Sequence, residues 1–116
     1  MACAAGIATL DVYAEEGLLT RAATLAKHWE DAIWTLKTAK HVIDLRVVGL
    51  VAGIELAPRE NAAGKRAFEA FTKAFEKGLL TRVTGDILAL SPPLIVEKAQ
   101  IDQMVSMVGE VLATID

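Results

Sequence analysis

The chain has 116 residues, of which 53% are hydrophobic, and its formal net charge is −3. This length suits a single domain over residues 1–116 and is sufficient to bury a core. The mildly acidic balance, with scattered basic residues, excludes the electrostatic footprint of a nucleic-acid-binding protein or of one that binds an anionic membrane.

Cysteine and histidine usage narrows the class of site that the chain can hold. The only cysteine, Cys3, excludes an internal disulfide, and two distant histidines without partner cysteines predict no metal site. The chain opens without a signal-peptide pattern and contains no apolar run of membrane-spanning length. We therefore expect a cytoplasmic protein with neither nucleic acid nor a membrane as its partner.

The first helix is predicted over 2–16, where Ile7, Leu10 and Ala14 recur at helical spacing before Gly17. No Ser, Thr, Asp or Asn stands before its first turn, although these residues favour the start of a helix. We therefore expect the chain to enter a helix that is already under way, as it would at a fragment boundary.

A second helix is predicted over 18–37, because apolar residues step by three and four along one face. The segment HVIDLRVVGLVAGIELA then places Asp44, Arg46 and Glu55 among β-branched residues and predicts an antiparallel hairpin. These three charged side chains would share one face of the hairpin, where cross-strand ion pairs facing water are common.

A third helix is predicted over 61–77, followed at once by Gly78. It carries Phe68, Phe71 and Phe75 on one stripe, and we interpret this stripe as part of the core. Aromatic residues at this spacing are typical of a buried helix face rather than of a binding site.

The segment LLTRVTGDILALSPPLI, residues 79–95, predicts a second pair of strands. Gly85-Asp86 suits the central dipeptide of a primed two-residue hairpin turn, and the two prolines end the second strand. A last amphipathic helix is predicted over 97–114.

The order helix, helix, strand pair, helix, strand pair, helix predicts an α+β fold. Because strands that are neighbours in sequence are joined by short turns, we expect a small antiparallel sheet of three or four strands, made of two hairpins. The helices would pack on one face of this sheet.

Arg82 is the strongest candidate for a functional residue. Side-chain alternation places it on one face of its strand with Leu80 and Thr84, so the guanidinium projects from a mostly apolar surface. Its planar fork of donors matches a carboxylate through two parallel hydrogen bonds. Spacing alone favours simpler alternatives, namely an ion pair with Asp86 or another nearby acid, or an arginine on an exposed edge strand.

The remaining candidates carry weaker signals. Structural or surface roles are expected for His28 and His41, and Cys3 is expected to be an inert buried thiol. Gly49 and Gly53 do not satisfy a phosphate-loop pattern and suit bend and bulge positions. Four lysines fall on exposed helical positions, outside the apolar pocket that an imine-forming lysine requires: Lys65, Lys73, Lys77 and Lys98.

Three blocks of the sequence resemble a known family. They are CAAGIATLDVYAEEGLLTRA, VIDLRVVGLVAGIELAPRENAAG and EKGLLTRVTGDILALSPPLIVEKAQID. Together they resemble the C-terminal part of class III, pyridoxal-phosphate-dependent aminotransferases, and most of all the omega-amino acid (beta-alanine):pyruvate group. The resemblance implies the C-terminal small domain of a fold type I enzyme, packed against a large domain that holds the cofactor. It also implies that the helix over 2–16 is the end of the linker from that missing large domain.

The RVTGD run resembles the family motif whose arginine binds the substrate carboxylate, and Arg82 is the matching position. The resemblance therefore implies that Arg82 binds substrate in a transamination between an omega-amino acid or amine and pyruvate. The family's imine-forming lysine and the residues that hold the cofactor lie upstream of this chain. We expect the isolated chain to be inactive and to bind no pyridoxal phosphate, which the full-length enzyme would carry.

The resemblance also implies partners. These are the missing large domain, further copies of the enzyme in a dimer or tetramer, and small amino acids, amines and pyruvate as substrates. The alternative is a non-enzymatic module of the same fold that binds a small carboxylate or acts in assembly.

Overall fold

Four α-helices and a four-stranded antiparallel sheet make up the fold of the computed structural model, which describes residues 1–116. In chain order the elements are α1 (Ala2–Glu15), α2 (Leu18–Trp34), a 3-10 helix (Thr35–Thr38), β1 (Val42–Val48), β2 (Val51–Leu56), α3 (Lys65–Glu76), β3 (Arg82–Thr84), β4 (Ile87–Leu90) and α4 (Lys98–Thr114). The predicted α+β class is confirmed. No helix combines the length and the apolarity that crossing a membrane requires.

The sheet joins the two predicted hairpins side by side in the order β1-β2-β4-β3. Strands β2 and β4 pair antiparallel in the middle, with Ala52 opposite Leu90 and Ile54 opposite Leu88. Strands β1 and β3 are therefore the two edges. The β3–β4 turn has a positive φ of 57° at Gly85 but not at Asp86, which fits a primed turn of type II′.

The core lies between one face of the sheet and the helices. Alternate residues of the central strands point into it, and α2 and α4 contribute one apolar stripe each. Its largest fully buried side chains are Trp29, Ile33, Ile54, Leu56, Leu88, Ile101 and Leu112. Because fully burying a side chain of this size contributes about 1.5–3 kcal/mol, this layer is the main source of stability.

The interpretation of the phenylalanine stripe as core is wrong for two of its three residues, since only Phe71 is partly buried and packs against the core. Phe68 and Phe75 are 56% and 61% exposed, whereas the neighbouring stripe of three alanines on α3 is buried: Ala67, Ala70 and Ala74. The two stripes have the same spacing and differ by one position along the helix, so periodicity alone did not distinguish them. Alanine faces inward because its small side chain lets α3 approach α4 and the second hairpin closely.

Two helix boundaries also differ from the prediction by more than one residue. Helix α3 begins at Lys65 instead of residue 61, because Asn61 and Gly64 have positive φ angles of 56° and 77° that a helix does not accommodate. Helix α2 ends at Trp34 and continues as a 3-10 turn. Neither change alters the order of the elements.

Helix α1 lies at the margin of the fold and buries none of its side chains. Its apolar residues Ile7 and Leu10 are 63% and 66% exposed. The helix is confirmed, but the contacts that would cover its apolar residues are not made within this chain.

The C-terminal end of α4 is surrounded by basic side chains. Four cations donate hydrogen bonds to the last main-chain oxygens of the chain: Lys40, Arg59, Arg66 and Lys73. Cations are stabilising at a helix C-terminus, where unpaired carbonyl groups carry partial negative charge. This cluster ties the end of α4 to the loops on either side of the first hairpin and to α3.

His41 lies next to this basic cluster in an unusual backbone conformation. Its φ is 67°, its carbonyl oxygen accepts a hydrogen bond from the Ala57 amide at 2.8 Å, and its Nε2 is buried without a partner. Burial lowers the pKa of the imidazole, and the nearby positive charges of Arg66 and Lys40 lower it further. The folded chain therefore favours neutral His41.

We expect His41 to make the chain less stable in mild acid. The pKa of His41 in the folded state lies below the ordinary 6.5. Neutral His41 therefore makes its full contribution to the free energy of unfolding above pH 6.5, and this contribution is lost as the pH falls through the folded-state pKa. In urea titrations, the free energy of unfolding should fall between pH 7.5 and pH 5 in the parent chain and fall less in His41→Asn. Asparagine tolerates the positive φ, and an unchanged pH slope in this variant would contradict the assignment.

Substitutions on α3 test which of its stripes is buried. Ala70→Leu should lower the free energy of unfolding by about 1–3 kcal/mol through overpacking. Phe68→Ala should change it by less than about 1 kcal/mol, because that side chain is mostly exposed. Urea unfolding of both variants measures the difference, and the reverse order of effects would show that the phenylalanine stripe is the buried one.

Candidate functional site

Arg82 begins β3, which is an edge strand of the sheet. As predicted, it shares the outward face with Leu80, which is 75% exposed, and with Thr84. Its backbone pairs only with β4, where Ala89 stands opposite. The guanidinium is exposed, as the edge-strand alternative anticipated, and its neighbours on that face are small or apolar.

The predicted alternative of an ion pair between Arg82 and Asp86 is wrong. The Arg82 side chain makes no hydrogen bond or ion pair within the chain, whereas the Asp86 carboxylate accepts a hydrogen bond from the Gly64 amide at 2.8 Å. The two side chains diverge because α3 supplies a main-chain donor on the other side of the turn. Arg82 is left free to meet an anion from outside the chain.

A groove of about 580 Å³ lies beside Arg82, between the second hairpin and α4. Arg82 is the only charged residue in its lining, and Met104 and Met107 of α4 form part of the opposite wall. An isolated cation at the edge of a largely apolar groove suits a small ligand with a carboxylate at one end and an apolar body.

Thr81 adds an unpaired polar atom to this groove. Its Oγ1 is buried and has no hydrogen-bond partner within the chain, and the residue lies in the groove lining next to Arg82. A buried hydroxyl without a partner costs free energy. Nothing in the sequence pattern singled out Thr81, because a threonine in a strand is ordinary.

The predicted cross-strand ion pair of the first hairpin is confirmed between Arg46 and Glu55, and Arg46 also pairs with Asp44 on its own strand. The Arg46 Nη1 lies 2.6 Å from the Asp44 carboxylate and 2.8 Å from that of Glu55, and hydrogen bonding to Glu55 chiefly raises the pKa of Arg46. The sheet register aligns Arg46, Gly53, Ala89 and Arg82 in one row, so three interstrand spacings put the two arginines roughly 14 Å apart. Arg46 is therefore neutralised by its neighbours, whereas Arg82 has no ion pair.

The other candidates lie away from this face. The His28 Nε2 is 2.8 Å from the Asp102 carboxylate and links α2 to α4, which fits the expected structural role. Cys3 was expected to be buried but is exposed, because α1 lies at the margin of the fold and buries none of its side chains. No group of three His, Cys, Asp or Glu side chains converges as a metal site would require.

The chain belongs to the class-III aminotransferase family, whose family model matches residues 1–112. It is 56% identical over 116 residues to the omega-aminotransferase of Caulobacter vibrioides, covering 100% of this chain and 26% of that protein. It is 39% identical over 112 residues to the beta-alanine–pyruvate aminotransferase of Pseudomonas aeruginosa, covering 97% of this chain and 25% of that protein.

A solved structure supports the same assignment. The adenosylmethionine-8-amino-7-oxononanoate aminotransferase from Methanocaldococcus jannaschii superposes with a TM-score of 0.89 at 27% identity, over 98% of this chain and 27% of that one. The α+β fold of this chain therefore matches part of an aminotransferase. The chain spans about a quarter of the length of the curated relatives that it matches.

Family membership implies pyridoxal phosphate in the full-length enzyme. An imine-forming lysine needs an apolar pocket, and no lysine of this chain is buried. The least exposed, Lys73, is paired with Glu69 at 2.9 Å and donates to the Thr114 oxygen. No step of the cofactor's chemistry can therefore be assigned to residues of this chain.

Replacing Thr81 tests whether its hydroxyl is unpaired. Thr81→Val keeps the shape and removes the buried oxygen, so the free energy of unfolding should rise by about 1 kcal/mol. The matched control Thr84→Val, at an exposed position of the same hairpin, should change it by less than about 0.5 kcal/mol. A loss of stability in Thr81→Val, measured by urea unfolding, would show that the hydroxyl is already hydrogen-bonded to water in the groove.

Proposed function

We propose that this chain is the C-terminal small domain of an omega-amino acid:pyruvate aminotransferase and that Arg82 binds the carboxylate of the substrate. The observation that carries the proposal is that Arg82 is free of any ion pair and is the only charged residue lining the groove. The names of the relatives supply the class of reaction, since one is a beta-alanine–pyruvate aminotransferase and another an omega-aminotransferase.

The chemistry of guanidinium suits this role. Arginine stays protonated at any ordinary pH, and its fork of N–H donors meets both oxygens of a carboxylate at once. Two such hydrogen bonds fix the direction of the substrate as well as its position. Held in this way, a small acid would present its carbonyl or amino group at a constant distance from Arg82, and such orientation can supply several kcal/mol of a reaction barrier.

The magnitude of the interaction depends on water. An ion pair exposed to solvent contributes only about 0–1 kcal/mol, whereas hydrogen bonds to a charged group away from water contribute about 1.5–3 kcal/mol each. Arg82 is exposed in this chain, so strong carboxylate binding requires another surface to cover it. The large domain of the full-length enzyme would provide that cover, and the apolar surroundings of Arg82 are suited to being covered.

In this proposal the chain has a substrate-binding role. The full-length enzyme would supply the cofactor, the imine-forming lysine and the proton transfers, while this chain would hold the substrate's acid end. The isolated chain is then catalytically inactive and takes up no pyridoxal phosphate. The exposed and paired state of its lysines supports this part of the proposal.

A second candidate is a non-enzymatic module that binds a small carboxylate by itself. The observation in its favour is that the groove, Arg82 and the Thr81 hydroxyl all lie within this chain. Titration calorimetry of the isolated chain with pyruvate separates the two candidates. Saturable binding at micromolar concentration would favour the module. Weak or absent binding fits a small domain whose Arg82 has to be covered by the large domain.

A chimeric enzyme tests the role of Arg82. The matching quarter of the Caulobacter vibrioides omega-aminotransferase can be replaced by this chain, since the two are 56% identical over 116 residues. In an active chimera, Arg82→Ala should raise the apparent KM for pyruvate by roughly tenfold or more, because it removes a charge-assisted carboxylate contact. The apparent KM for benzylamine, which has no carboxylate, should stay within about twofold.

Arg46→Ala is the matched control in the same chimera, because it removes a neutralised arginine from the same face of the sheet. It should leave the ratio of the two KM values unchanged. Equal effects of Arg82→Ala on pyruvate and on benzylamine would refute the proposed role of Arg82.

A further inference from the structure

Asp86 connects the hairpin that carries Arg82 to the start of α3. Its carboxylate Oδ1 accepts a hydrogen bond from the Gly64 amide at 2.8 Å, and its carbonyl oxygen accepts one from the Leu56 amide at 2.9 Å. The turn between β3 and β4 is therefore attached both to the first turn of a helix and to the end of the central strand β2. These contacts lie four residues along the chain from Arg82.

The start of α3 has no acidic group of its own for this contact. Its N-cap residue is Gly64, which has no side chain to cap the helix, and its first turn begins with Lys65 and Arg66. A carboxylate is stabilised at a helix N-terminus by the unpaired amides and the partial positive charge there. Asp86 supplies that carboxylate from a different element, so the contact joins two elements instead of capping one.

The two backbones also approach closely at this point. A Cβ added to Gly64 would lie 3.4 Å from the Gly85 oxygen, and Gly64 has a φ of 77° that favours glycine. The hydrogen bond from Gly64 to Asp86 therefore joins two adjoining turns, and the positive φ of Gly64 disfavours any other residue at the donor position.

The other end of the Arg82 segment is attached to the other end of the same helix. The Leu79 amide donates to the Ala74 oxygen at 2.9 Å, and the Leu79 side chain is 8% exposed. Between these attachments, β3 has only three residues and pairs with a neighbour on one side only. The placement of Arg82 therefore depends on the two ends of α3 as much as on the sheet.

We propose that Asp86 is a positioning residue for Arg82, because its carboxylate fixes the β3–β4 turn on the N-terminus of α3 and so sets where the guanidinium points. This inference rests on the proposed carboxylate-binding role of Arg82. It also gives Asp86, the acidic residue of the RVTGD run, a role that the spacing of the sequence did not indicate. Because the Asp86 carboxylate bonds to the start of α3, it does not pair with Arg82, and the guanidinium stays available to the substrate.

The effect of losing the contact follows from this arrangement. In Asp86→Ala the Gly64 amide loses its acceptor, the turn separates from α3, and Arg82 samples a wider range of directions. Binding of a carboxylate then weakens, while a substrate without a carboxylate is unaffected. Asp86→Asn keeps an acceptor oxygen at the same position, so it should preserve most of the placement.

Steady-state kinetics of the chimeric enzyme test this inference. Asp86→Ala should raise the apparent KM for pyruvate by roughly fivefold and leave that for benzylamine within about twofold, and Asp86→Asn should restore the pyruvate value to within about twofold of the parent. The matched control is Asp102→Ala, which removes a carboxylate that links α2 to α4 far along the chain from the hairpin. It should leave the ratio of the two KM values unchanged.

A second variant reaches the same contact from the other side. Gly64→Ala strains the backbone at a φ of 77°, at the residue whose amide bonds to Asp86, and should also raise the KM for pyruvate selectively. Loss of benzylamine turnover would reveal that Asp86→Ala fails to fold. In that case Gly64→Ala still tests the positioning role of Asp86.

The outcomes separate this inference from the proposed function. If Arg82→Ala is selective for pyruvate but Asp86→Ala and Gly64→Ala raise no KM selectively, the positioning role is overturned and the role of Arg82 stands. A selective effect of Asp102→Ala as large as that of Asp86→Ala would also overturn it, because general loosening of the fold would then be the cause. If Arg82→Ala itself is not selective, the proposed function fails.

Discussion

The close packing of α3 against the second hairpin is the contact on which the geometry of the site depends. Helix α3 presents alanines to the interior, and Ala67, Ala70 and Ala74 are almost fully buried. Small side chains bring the helix backbone near enough for the Gly64 amide to reach Asp86. A larger buried side chain would hold α3 farther from the hairpin and would remove that hydrogen bond.

The same contact explains why the sheet carries one free cation. On β1, Arg46 is held between two carboxylates, so its charge is neutralised within the hairpin. On the second hairpin, Arg82 has no ion pair, and the Asp86 carboxylate accepts from the Gly64 amide at the start of α3. Two arginines in one row of the sheet therefore differ in what they can bind. A charge satisfied by its own strand neighbours has little to gain from a ligand, whereas an unpaired one gains both charge neutralisation and hydrogen bonds.

The exposed apolar residues are consistent with a chain that spans a quarter of its relatives. Phe68, Phe75, Leu80 and the apolar residues of α1 lie on the surface, and no element of the chain covers them. Exposed apolar surface of this extent marks places where another surface packs. Leu80 lies on the same face as Arg82, so covering Leu80 would also remove water from around the guanidinium. Water exclusion and carboxylate binding would then be coupled.

Much of this structure was determined by the sequence alone, because it depends on local regularities. Helical spacing, strand alternation and the Gly85-Asp86 turn are properties of neighbouring residues, and they established the α+β class, both hairpins and the ion pairs of Arg46. The outward direction of Arg82 followed from the same alternation. Family resemblance then added a role for Arg82 that no local pattern contains.

Only the tertiary structure decided which of two equivalent stripes α3 buries and which donor Asp86 meets. The phenylalanine and alanine stripes have the same period, so the choice depends on how close the helix must come to the sheet. Asp86 lies near Arg82 in sequence, yet its carboxylate bonds to Gly64, which is 22 residues away. Partners at that separation meet only once the helix has packed on the hairpin, and for that reason the free state of Arg82 was not visible in the order of the residues.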